Sequence, residues 1–506
     1  MFIKIKSAAY LGLKSYLVEV EVDSSHGLPG QSIVGLPDAA VKESRDRVKA
    51  ALNNSGLEYP GGYFTINLAP ADTRKEGPMY DLPIALGILL ASETISSGIL
   101  EDTAIFGELS LDGRVRPVEG MLPMCCALKE KDIKRAIVPA ENADEAALVE
   151  QLEVIPVDSV NSAIEYLSGE KEIKPHKVDL KALFSKESEY DCDFSEVKGQ
   201  FHAKRALEVA AAGGHNILLS GPPGAGKTML ARRLSSILPP LSLEEALEVT
   251  KIYSISGMLP SRNSLITRRP FRSPHHTTSD IGITGGGRIP RPGEITLSHH
   301  GILFMDEFPE FDREVLEVLR QPLEDGDISI CRAATSITYP AQFMLVAAMN
   351  PCPCGNFGDP ATECSCPPFK IQRYLQKLSG PLLDRIDLHV DVPRLKKEEL
   401  ISYPSGETSS AIRERVSKAR SVQQERFRGT KISSNAKMTS KYVKKYCVPD
   451  SEAEELMKKA ISHFRLTGRS YDKILKVSRT IADLDGSEML LAKHIAEAVQ
   501  YRNNVC

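Results

Sequence analysis

Residues 216–234 read NILLSGPPGAGKTMLARRL. The first five, Asn216 to Ser220, have the pattern of a short buried strand. The last six open an amphipathic helix. Between them, Gly221, Pro222, Pro223, Gly224, Ala225, Gly226, Lys227 and Thr228 form a glycine-rich loop ending in Lys-Thr. A strand, this loop and a helix, in that order, are the context that makes the motif a Walker A phosphate loop. The glycines let backbone N–H groups close on phosphates at the positive end of the helix. Lys227 is then placed to reach the β- and γ-phosphates, and the Thr228 hydroxyl to ligate Mg²⁺.

Reading outward, GILFMDEF (301–308) is a second apolar strand, ending in Asp306 and Glu307. Two carboxylates at the C-terminal edge of a strand, downstream of a Walker A loop, form a Walker B pattern. Asp306 is expected to hold Mg²⁺ and Glu307 to act as general base on the attacking water. A third strand, FMLVAAMN (343–350), ends in Asn350, a polar group suited to orienting that water or sensing the γ-phosphate. In SGPLLDRIDL (379–388), Arg385 follows this strand at a position suited to an arginine finger acting on a neighbouring subunit, which requires a ring.

These strands define an α/β fold with a parallel sheet between helices over 196–394. Residues 1–170 read as a separate mixed α/β domain. SYLVEVEV (15–22) and YFTINLAP (63–70) are strand-like, and DAAVKESRDRVKAALNNSG (38–56) is a helix closed by Gly56. The polar stretch 171–195 is expected to be a linker, and the helical periodicity of 395–506 to form a lid. The net charge of −4 argues against a chain coated in nucleic acid but allows local basic patches. The longest near-apolar run, 82–91, is about half the length of a membrane span. With no signal peptide visible, a cytoplasmic protein without a membrane partner is expected. Ten cysteines in such a chain point to thiols or metal ligands rather than a disulfide framework.

Four of them, Cys352, Cys354, Cys364 and Cys366, fall within fifteen positions. They can close on a structural zinc ion or remain reduced thiols. Between Lys227 and Asp306 the chain is longer than a minimal nucleotide-binding core needs, and the excess lies in 251–293. That stretch carries Lys251, Arg262, Arg268, Arg269, Arg272, Arg288 and Arg291 against the single acid Asp280, along with Tyr253, Phe271, His275 and His276. Cations that neutralise phosphates and rings that stack on bases would suit DNA, and a solvated surface loop is the plain alternative. A second basic run, 437–446, reads as an exposed helix end.

In this order the motifs resemble those of the AAA+ ATPases, in the magnesium-chelatase-like branch, and most closely the ComM/YifB family. The segments 27–52, 271–287, 350–360 and 379–390 carry the likeness. It implies an ATP- and Mg²⁺-dependent hexameric ring motor acting on single-stranded or branched DNA, with branch migration in natural transformation as its best-defined role. The alternative is an ATP-driven remodelling chaperone of the magnesium-chelatase kind, without DNA activity. The likeness also places the sensor-2 arginine on the lid, at Arg469, with Arg479 as runner-up. The first domain resembles the proteolytic domain of Lon through RKEGPMYDLP (74–83), FGELSLDGRVRPVEG (106–120) and AIVPAENADE (136–145). Met79 stands where Lon has its serine and Leu122 at about the position of its lysine, so no nucleophile is expected and no peptidase activity.

Overall fold

Five short strands rich in Ile, Leu, Val and Met build the sheet that positions the site. In spatial order they are Phe271–Arg272, Ile302–Met305, Met344–Met349, Ile217–Ser220 and Leu388–Asp391. Every pairing is parallel, with Ile217 opposite Val346 on one side and Leu388 on the other, and Ile302 opposite Met344. Strands buried on both faces need apolar residues throughout, and all six residues of Met344–Met349 are buried. Because the strands run the same way, the residues that follow Ser220, Met305 and Met349 emerge at one edge. That edge holds the glycine-rich loop, Asp306 and Asn350.

The computed structural model describes residues 1–185, 192–260, 264–287, 290–332, 335–359, 362–395, 406–464 and 467–502. It divides into two units, one of 1–187 with 243–267 and the other of 188–242 with 268–506. The sequence reading runs its second domain unbroken from 196 to 394. Instead, 243–267 leaves it to join the first unit. Helix Leu243–Ile255 packs there on helix Met121–Glu130. Ser254 fixes the join, its hydroxyl bonding to the buried Glu145 carboxylate and its carbonyl accepting from Gly120 N at 3.2 Å.

The first unit is a mixed seven-stranded sheet in the order Gly30–Val34, Tyr63–Ala69, Lys14–Ser25, Phe2–Leu11, Thr103–Ile105, Arg135–Pro139, Glu153–Val157. Its helix Ala39–Asn54 begins where Asp38 accepts from Val41 N at 2.8 Å, and ends just before Gly56, at φ +79°.

In the second unit, helices Ser409–Arg426, Ser440–Tyr446, Ser451–Phe464, Gly468–Leu484 and Ala492–Gln500 form the C-terminal region. Their apolar faces share one core with the sheet. A buried polar junction also ties them to it. Lys473 Nζ lies 3.0 Å and His215 Nδ1 2.9 Å from the two oxygens of Asp387. Burial alone would push the Asp387 carboxyl up, but Lys473 and the His215 hydrogen bond outweigh it and hold the group well below the usual carboxylate range. The stabilisation from this depressed acid is present above the unfolded value near ~4 and is lost as pH falls below it. Acid titration followed by circular dichroism should therefore show Asp387→Asn losing less stability than wild type as pH drops below that value. Among the described residues, no helix is long and apolar enough to cross a membrane.

Candidate active site

Gly224 and Gly226 adopt φ +77° and +89°, a left-handed region that strains other residues, and so fold the loop over the start of helix Lys227–Ile237. Gly226 supplies no side-chain cap, so the first-turn N–H groups of the helix border the cleft. The cleft holds about 400 Å³ and is lined by Pro223–Met229, Asp306, Glu307, Met349 and Asn350.

Lys227 is 8% exposed, and Nζ donates to Gly221 O at 2.7 Å, Pro222 O at 3.0 Å and Asn350 Oδ1 at 3.0 Å. Burial pulls its pKa down, only partly offset by the charge of Asp306. A desolvated ammonium resting on three neutral oxygens lacks an anion, and a phosphate chain supplies one. Thr228 Oγ1 donates to Asp306 Oδ2 at 2.7 Å, so the hydroxyl and carboxylate suited to Mg²⁺ already meet. These donors fit ATP with a divalent cation.

Glu307 sits at φ +53°, ψ +41°, a conformation that costs a side-chain-bearing residue on the order of 1–3 kcal/mol. Its N–H donates to Asp306 Oδ1 at 2.9 Å, and its carboxylate lies 3.1 Å from His276 Nδ1. His276 in turn packs edge-on against Phe311. Sequence reading takes His276 for a base-stacking residue. The structure sets it beside the candidate base, and the adjacent histidines at 275–276 were the only signal for it. His276→Ala should leave nucleotide affinity unchanged and lower turnover about tenfold by freeing Glu307, a split that steady-state ATPase kinetics would read.

Arg385 donates from Nε to Arg320 O at 3.1 Å and from Nη1 to Pro381 O at 2.7 Å, and forms an ion pair with Glu324. Arg469 is exposed in the first turn of helix Gly468–Leu484 and has no hydrogen-bond or ion-pair partner among the described residues. Arg479 is buried inside the lid on Asp483 and the carbonyls of Ser487 and Glu488, which removes the runner-up from the cleft.

The four clustered cysteines come together as the sequence spacing suggests. Their sulfurs all lie within 4.8 Å of one another, with Cys352 3.3 Å from Cys354 and 3.7 Å from Cys364. Hydrogen bonds from Asn356 N–H and the Cys352 thiol pull the Cys354 pKa down and so favour its thiolate. Gly355, at φ +84°, lies so close to the glycine-rich loop that a Cβ there would meet Pro223 Cδ at 2.4 Å. The cluster therefore braces the loop.

The basic stretch behaves differently from its charge count. Arg269 is committed to Pro239 O and His300 O, both at 2.7 Å, and Arg272 makes a bidentate pair with Glu294 at 2.6 Å. Both are structural anchors. Arg268 and Arg291 are exposed, Lys251 and Tyr253 belong to the first unit, and Arg262 and Arg288 lie outside the described residues. In the first unit, Met79 and Leu122 are buried core residues, and Leu122 N donates to Glu145 Oε1 at 2.8 Å. Neither side chain offers a nucleophile.

Three family models match the chain in succession: "Subunit ChlI of Mg-chelatase" over 20–142, "Magnesium chelatase, subunit ChlI" over 193–400 and "Magnesium chelatase, subunit ChlI C-terminal" over 406–502. The chain is 44% identical to competence protein ComM of Haemophilus influenzae, over 98% of this chain and 97% of that one. It is 43% identical to YifB of Escherichia coli, over 98% and 96%. The magnesium-chelatase 38 kDa subunit of Rhodobacter capsulatus is 27% identical over 31% of this chain and 50% of its own length. With similarity running from end to end and a phosphate-loop site on a parallel sheet, the chain belongs to the ComM/YifB family of magnesium-chelatase-type ATPases.

Proposed function

We propose that this protein is an ATP-driven ring motor that moves along single-stranded or branched DNA and migrates branch points during recombination of incoming strands. The convergence of Lys227, Thr228, Asp306, Glu307 and Asn350 on one cleft carries the ATPase part. The DNA part is supported by end-to-end similarity to a competence protein. In this reading Lys227 and the loop N–H groups bind the phosphates, Thr228 and Asp306 hold Mg²⁺, and the cation screens phosphate charge. Glu307 takes a proton from the attacking water, and Asn350 and His276 fix Lys227 and Glu307 in place. Arg385 serves the neighbouring site in a hexameric ring, and Arg469 contacts nucleotide from the lid. The domains divide as an N-terminal binding module of Lon-like ancestry (1–170), a linker (171–195), an ATPase core (196–394, from which 243–267 joins the first unit) and a lid (395–506). The direct test is a three-strand junction with labelled arms. Wild type with ATP should convert it and Glu307→Gln should not. Failure of wild type to convert it under conditions of active ATP hydrolysis would count against the motor.

Structural zinc on Cys352, Cys354, Cys364 and Cys366 completes the proposal. Protein purified without chelator should carry about one zinc per chain. Cys354→Ser should lose it and weaken nucleotide binding through Gly355 and Pro223, whereas folded wild type without zinc would refute the site. Arg268 and Arg291 are exposed and serve as the DNA-contact variants, while Arg269 and Arg272 are held by the His300 carbonyl and the Glu294 carboxylate. Charge reversal at both exposed positions should weaken DNA binding several-fold and flatten its salt dependence, as loss of phosphate contacts requires.

A further inference from the structure

The three residues that follow Asp384 are held together between the sheet side and the C-terminal helical region. The Arg385 carbonyl accepts from Asn216 Nδ2 at 3.1 Å. Asn216 immediately precedes the strand that runs into the phosphate loop, and its Oδ1 accepts from Leu345 N, on the strand leading to Asn350, at 2.8 Å. The Ile386 carbonyl accepts from Arg502 Nη1 at 2.9 Å and Lys473 Nζ at 3.3 Å, both from the C-terminal helical region. The Asp387 carboxylate meets Lys473 at 3.0 Å and His215 at 2.9 Å, while His215 Nε2 reaches Thr480 Oγ1 on the same lid helix at 2.8 Å.

A buried carboxylate–ammonium pair is a poor way to gain stability. Taking both charges out of water costs several kcal/mol per ion, and well-packed apolar side chains of like volume commonly do as well. What such a pair does supply is a fixed geometry, because leaving either charge alone is severely unfavourable. Here the geometry it fixes is the backbone from which Arg385 projects.

We propose that Asp387 and Lys473 are positioning residues that lock the Arg385 backbone to the lid, so that the lid position in one subunit sets the reach of its arginine into the next subunit's site. This rests on the reading of Arg385 as a finger supplied in trans. A lid helix that shifts when its own cleft fills would carry Lys473 with it, and Lys473 is bonded to both Ile386 O and Asp387. The Glu324 pair gives Arg385 a second, intrasubunit resting place.

The experiment mixes full-length chains. Alone, Asp387→Asn and Lys473→Gln should each lower turnover at least about tenfold while leaving ATP affinity within about twofold, since an arginine finger acts on the transition state. Each is then mixed in equal amounts with Glu307→Gln. In a randomly mixed ring about a quarter of the interfaces pair an intact base from one chain with an intact finger from the other, so activity should reappear. A general loss of packing would damage the variant's own cleft, and mixing would not restore it. Lys473→Gln keeps His215 on Asp387 and serves as the second variant if Asp387→Asn is poorly folded. Arg385→Ala mixed with Glu307→Gln is the control. Restoration with Arg385→Ala but with neither positioning variant overturns this inference alone. No restoration with Arg385→Ala overturns the finger itself. Full turnover in folded Lys473→Gln rings also overturns the inference.

Discussion

Glu307→Gln should bind ATP as tightly as wild type and hydrolyse it about 10²–10⁴-fold more slowly, the range expected when a positioned general base is removed. The amide keeps the size of the side chain and can still bond to His276, but it cannot accept a proton. The strained backbone at φ +53° is fixed by Asp306 and the turn to Glu310, not by the carboxylate, so the variant should keep its fold. Lys227→Ala gives the opposite pattern. Loss of the only ammonium among the described residues of the cleft lining should abolish nucleotide binding and leave Asn350 Oδ1 without its partner. Fluorescent-nucleotide titration beside a phosphate-release assay separates the two. Turnover near wild type in purified Glu307→Gln would remove Glu307 from the base role.

Arg385→Ala should lose about 10³-fold or more in turnover with ATP binding retained, as expected for a finger that stabilises transition-state charge. The same substitution also breaks the Glu324 pair and two carbonyl contacts. The Glu324 pair is half-exposed and worth little, so the loss of stability should be small beside the loss of rate. Because the finger serves a neighbouring site, specific activity of the wild type should rise with protein concentration until rings are complete. Activity independent of concentration down to the monomer range would contradict a role in trans.

The parts of the site that lie within one strand and the loop after it were legible in the sequence. Lys227, Thr228, Asp306, Glu307 and Asn350 each follow an apolar run, and parallel pairing brings the ends of those runs to one edge. The cysteine cluster was legible for the same reason, since all four cysteines fall within fifteen positions. What could not be read are pairings set by the tertiary fold. His276 meets Glu307 across 31 positions, and Asp387 meets His215 across 172. Nothing in the local pattern of either partner announces the other. Arg269 and Arg272 show the reverse failure. Their charge is plain in the sequence, but the carbonyls of Pro239 and His300 and the carboxylate of Glu294 that consume it are not. Helical periodicity over 243–255 is visible, yet the membership of that helix in the first unit comes from its packing on helix Met121–Glu130 and from Ser254 meeting Glu145 and Gly120. The sequence of that unit shows Met79 and Leu122 where a resemblance to Lon would expect serine and lysine, but not that both are packed into its core.

The central claim is that ATP hydrolysis at this cleft is coupled to DNA. It is tested most directly by measuring phosphate release from the wild-type protein without DNA, with single-stranded DNA and with a branched junction, at fixed moderate salt. The account predicts a low basal rate that one or both DNAs raise several-fold, an increase absent in Glu307→Gln and reduced when Arg268 and Arg291 are reversed. A robust basal rate that neither DNA changes, in protein that binds neither DNA as salt is lowered, would contradict it.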